Sequence, residues 1–122
     1  MRKTITTLAL ALTSTAAFAV HTCDTMPSKK DRINCWSDLT GSSMQEADEY
    51  LFAVQESRKV PASVKQKVEA KRKAITSNAD RRCKKDDLGY PENACYIEQI
   101  QNFKDFTYKE TSKYGVPDMR LN

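Results

Sequence analysis

Four cysteines carry the most specific chemistry in this sequence: Cys23, Cys35, Cys83 and Cys95. Their spacing repeats, since 23/35 and 83/95 are both C-x11-C. An even set of this kind is expected to form two disulfides in an oxidising compartment. Four cysteines allow three pairings, and spacing alone does not choose among them. A zinc site would need closer pairs and usually histidine. The chain has no C-x2-C and a single histidine, His21. No metal and no cofactor is therefore expected, and the redox motif C-x-x-C is missing too.

Catalysis finds little else to work with. One histidine makes no triad, and there is no G-x-S-x-G and no phosphate-cradling glycine loop. Asp48 and Glu49 are adjacent on a helix and so point apart, which suits a shared carboxylate site poorly. The expectation is a protein that acts by binding rather than as an enzyme.

Charge provides the candidate binding faces. Residues 65–85 hold Lys65, Lys67, Lys71, Arg72, Lys73, Arg81, Arg82, Lys84 and Lys85 against Glu69 and Asp80. This segment reads as a solvated basic helix balanced by an acidic neighbour, or as a face for an anionic partner. Glu46, Asp48 and Glu49, with Arg72, Lys73, Arg81 and Arg82, are the partner-contact candidates.

The elements that must position these residues read as helices. Residues 1–19 form a separate segment: Arg2 and Lys3, an apolar stretch, then Ala17-Phe18-Ala19. That is the pattern of a secretory signal cleaved after Ala19. Its apolar stretch falls short of the roughly 20 residues of a membrane span. The full chain has 122 residues, 20 Lys and Arg against 16 Asp and Glu, and a net charge of +4. Losing Arg2 and Lys3 leaves +2. A nearly neutral exported domain is not expected to bind nucleic acid. With only 3 Gly and 30% charged residues, the chain fits neither an all-β fold nor a further membrane span.

Ser28-Lys29-Lys30-Asp31 can open a short helix to about Leu39, which Thr40-Gly41 then interrupts. Ser43-Met44-Gln45-Glu46 can start a second, with Met44, Ala47, Leu51 and Val54 as its stripe, ending near Ser57. Pro61 suits the first turn of a helix to about Cys83, with Val64, Val68, Ile75 and Ala79 on one face. Residues 84–89 read as a charged loop. Pro91 starts the last helix, with Tyr96, Ile100, Phe103 and Phe106 or Thr107 inward, and Gly115 stops it. The expectation is an all-α domain over 20–115, a small antiparallel three- to four-helix bundle stapled by two disulfides, with a frayed tail at 116–122.

The cysteine frame and helix pattern resemble the N-terminal domain of the bacterial family named for the lysozyme inhibitor LprI. The matching pieces are Cys23 to Cys35, Ala47-Asp48-Glu49-Tyr50-Leu51, Asp80-Arg81-Arg82-Cys83 and Cys95-Tyr96-Ile97. They extend over about residues 23–110. Ile75 stands where that family usually has Trp, Ala79 where it has Arg, and Arg72 where it has Gln. The resemblance implies a small exported helical protein of the periplasm, or secreted, whose partner is a protein such as lysozyme or another cell-wall hydrolase. The local pairs Cys23–Cys35 and Cys83–Cys95, which the matching spacings suggest, are the expected connectivity. Two other classes stand beside an inhibitor: an immunity protein against a periplasm-delivered toxin, and an envelope stress chaperone or structural protein. The oligomeric state is left open.

Overall fold

The computed structural model describes residues 22–121. The signal expected at 1–19 lies outside the described residues. Within them the chain is all-α, with no strand: α1 (Lys29–Glu56), α2 (Ala62–Lys73), α3 (Ile75–Arg82), α4 (Asn93–Thr111) and a 3-10 turn at Ser112–Tyr114. None of these helices is long and apolar enough to cross a membrane. Both expected bridges are present, Cys23–Cys35 and Cys83–Cys95, each with a sequence separation of 12. They are the mark of an oxidising, exported location.

The chain divides into two compact units at Trp36/Ser37. The first holds the Cys23–Cys35 bridge. Ser28 caps α1 as its sequence predicts, its Oγ accepting the Asp31 N–H at 3.0 Å. Arg32 donates to the Met26 carbonyl at 2.9 Å, and the Trp36 indole donates to Asp24 Oδ1 at 3.0 Å. Trp36 is thereby buried with its polar edge satisfied.

The second unit begins within α1. The interruption expected at Thr40-Gly41 does not occur, and one helix runs from Lys29 to Glu56. A single glycine costs a helix only about 1 kcal/mol. Burial of Ala47, Tyr50 and Val54 along the same helix outweighs that cost. Conversely, the single helix expected from Pro61 to Cys83 is divided at Ala74, where ψ is −3°. Ser77 Oγ competes for the Ala74 carbonyl at 3.2 Å, and the β-branched pair Ile75-Thr76 follows. Val68, Ile75 and Ala79 are all buried across the break.

The core of this unit draws on every helix: Ala47, Tyr50, Val54, Val60, Val68, Ile75, Ile100, Phe103 and Val116. α4 packs against both α2 and α3. Its buried threonines need no distant partner. Thr107 donates to the Phe103 carbonyl at 2.8 Å, and Thr111 to the Thr107 carbonyl at 2.7 Å. Gly115 ends the run at φ 86°, the left-handed conformation its place predicts.

The segment after Gly115, where a frayed tail is expected, contacts the core within residues 116–121. Val116 is buried in the core, and Met119 packs on its edge. The Arg120 guanidinium lies 3.7 Å from the Tyr108 ring centroid. Apolar burial plus this stacked cation supplies the holding contacts that its short, Pro-containing sequence does not advertise.

Candidate functional site

The candidate contact residues divide into those the fold uses internally and those it leaves to solvent. Glu46 on α1 accepts from Lys104, an α4 lysine buried to 3% exposure. Asp48, two residues on, accepts from Arg72 Nε at 2.8 Å. Glu49 stays exposed, with only Gln45 donating to it at 3.2 Å. The three acids thus differ in their partners. Two face bases from other helices and one faces water.

The basic segment is similarly engaged. Lys65 donates to the Gln55 carbonyl at 2.7 Å, near the end of α1, where the helix dipole favours a cation. Lys67 faces Glu110, and Lys73 faces Glu69, each at 3.8 Å. Lys71 lies over the Phe106 ring, 5.5 Å from its centroid. Arg81 donates to Asn78, and Lys85 to Asp80 at 3.2 Å. Of the contact candidates on this segment, Arg82 has no side-chain partner among the described residues. Most of the exposed pairs are worth little individually. Together they bring acids of all four helices against cations of α2 and of the loop after α3.

Sequence reasoning passed over a more distinctive feature. Between Cys83 and Cys95 the chain makes a tight reversal organised by Asp86. One carboxylate oxygen, Oδ1, accepts the backbone N–H groups of Leu88 and Tyr90, both at 2.9 Å. The Asp86 N–H donates to the Tyr90 carbonyl at 2.7 Å, and the Gly89 N–H to the Asp86 carbonyl at 3.0 Å. Glu92 N–H closes the base on the Lys84 carbonyl at 2.9 Å, beside an antiparallel bridge between Lys85 and Pro91. Gly89 has φ +85° with open space about it, so its glycine serves the turn alone.

Asp86, exposed within the segment that reads from sequence as a charged loop, is therefore also the local organiser of that loop. The readable signal was an aspartate two residues before Leu88 and three before a glycine, between two cysteines. No group of three or more His, Cys, Asp or Glu side chains is placed to hold a metal ion among the described residues. No family model, curated protein or solved structure matches this chain.

Proposed function

We propose that the chain is an exported periplasmic binding protein that inhibits a lysozyme or another peptidoglycan-cleaving enzyme by steric blocking. The observation that carries this reading is the loop between Cys83 and Cys95, closed by a disulfide and locked by the Asp86 hydrogen bonds. A segment fixed before binding loses little conformational entropy on entering a cleft. The two disulfides add support, since they staple a small domain of the kind the resemblance implies.

Charge narrows the target. An inhibitor of net charge +2 gains no long-range steering toward a strongly cationic lysozyme. Association with such an enzyme would rest on short-range contact and change little with salt. The alternative of an immunity protein relies on the basic helix as its contact. It draws less support, because Lys67, Arg72 and Lys73 already face acids of the same chain.

The test is muramidase activity with and without the oxidised chain from residue 20, at low and moderate salt. Animal-type and bacterial lytic enzymes are assayed side by side. Stoichiometric inhibition of one class is expected. No inhibition of any of them discards the reading.

A further inference from the structure

The tip of the Cys83–Cys95 loop leaves two large apolar side chains in solvent, Leu88 at 80% exposure and Tyr90 at 66%. Among the described residues, the other large exposed apolar side chains are Ile33, Phe52 and Leu121, none within two positions of another. Leu88 and Tyr90 flank Gly89, and the Asp86 carboxylate holds both of their amides. The backbone is thus tied in the conformation that displays them.

The charges around the tip decide what kind of partner it fits. Arg82 and Lys84 precede the reversal, and Asp87 and Glu92 lie within or after its tip. All four are exposed, and no ion pair occupies their side chains among the described residues. Two cations and two anions cancel. An anionic lipid surface or a polyanion would favour cations without adjacent acids. An aromatic and an aliphatic anchor, ringed by unpaired charges of both signs, has the anatomy of a protein contact. A hairpin tip is a protrusion, so the complementary surface is concave. Two copies meeting tip to tip would bury too little for a stable pair.

We propose that Leu88 and Tyr90 are the anchors with which this loop enters an apolar, mixed-charge-rimmed cleft of another protein. The proposal rests on the reading of the chain as a binding protein and identifies its contact element. It is tested in two arms.

In the first, p-benzoylphenylalanine replaces Tyr90 in the full chain, expressed in its native cells, with Phe52 and Ile33 replaced in control chains. Irradiation is expected to give one discrete protein adduct from position 90 and none from 33 or 52. Four outcomes overturn the proposal: equal adducts from all positions, an adduct of two copies of this chain, an adduct to lipid, or no adduct. In the second arm, L88A/Y90A is compared with the unaltered chain against any muramidase that the latter inhibits. A loss of about 30-fold in affinity with unchanged melting is expected. Unchanged affinity there overturns the loop as anchor while leaving the inhibitor reading standing. A position-90 adduct to a protein that is no cell-wall hydrolase does the reverse.

Discussion

Lys104 sends its ammonium out of α4 to Glu46 on α1, and the lysine is almost wholly buried while Glu46 keeps 27% of its side chain in water. The asymmetry makes the two partners unequal under mutation. Glu46→Gln strands a buried cation and is expected to cost about 2–4 kcal/mol, toward the low end for a broken buried pair because the site is partly wet. Lys104→Met leaves a carboxylate that can turn to solvent and costs less. The double substitution should recover most of the loss. Chemical denaturation of the four proteins checks all three expectations.

Tyr50 is fully buried, and its hydroxyl has no hydrogen bond of normal geometry. Burial pushes its phenol above the ordinary 10.0; the Met119 backbone amide works against that rise and the Asp118 carboxylate adds to it. The folded state therefore favours neutral Tyr50. Its contribution is complete below the unfolded pKa and is lost as pH rises through the higher folded value. Stability should fall above about pH 10 in proportion to this group. Tyr50→Phe should weaken that alkaline loss, and near neutrality it should be close to neutral in stability, since it removes an unsatisfied hydroxyl. Denaturation midpoints across pH 8 to about 11 measure both effects.

The tail offers the acid counterpart. A side-chain hydrogen bond from Arg120 holds the Asp118 carboxyl below its ordinary 3.8. A depressed carboxyl favours the fold above its unfolded pKa and loses that contribution as pH falls through the folded value. The Arg120 contact with Tyr108 should accordingly loosen only below about pH 4. A guanidinium 3.7 Å from a ring centroid has ring-current-shifted NMR signals. Those shifts should diminish in that acid range, and Asp118→Asn should reduce them at every pH.

Glycine substitutions should have opposite signs by position. Gly41 lies inside α1 with nothing within 4 Å of an added Cβ, so Gly41→Ala should stabilise by about 0.5–1 kcal/mol. Gly115 sits at φ +86°, so Gly115→Ala should destabilise by about 1–2 kcal/mol despite equally open space. Thermal or denaturant unfolding of the two single variants tests the contrast.

Local features were the legible ones. The Ser28 cap, the Gly115 stop and the stripe Val68, Ile75 and Ala79 follow from rules that act within a few residues. Tyr50 went unassigned to the core because an amphipathic ring beside charged neighbours reads as surface. The acids of α1 were misleading for a different reason. Their partners lie 58 residues away for Glu46 and 24 for Asp48, and no spacing rule connects positions so distant. Val116 does not read as core, because a lone valine after a glycine carries no periodicity. At the loop, the run of charges from Lys84 to Asp87 drew attention from the two apolar residues that follow.

Both bridges join cysteines that are consecutive along the chain, Cys23 to Cys35 and Cys83 to Cys95. A polypeptide that emerges N-terminus first presents Cys35 while Cys23 is its sole available mate, long before Cys83 appears. An oxidase that joins each new thiol to the one preceding it therefore arrives at the native set directly. Crossed pairing would require a thiol to wait through nearly half the chain. The maturation of this protein is thus expected to need a thiol oxidant and no disulfide shuffler.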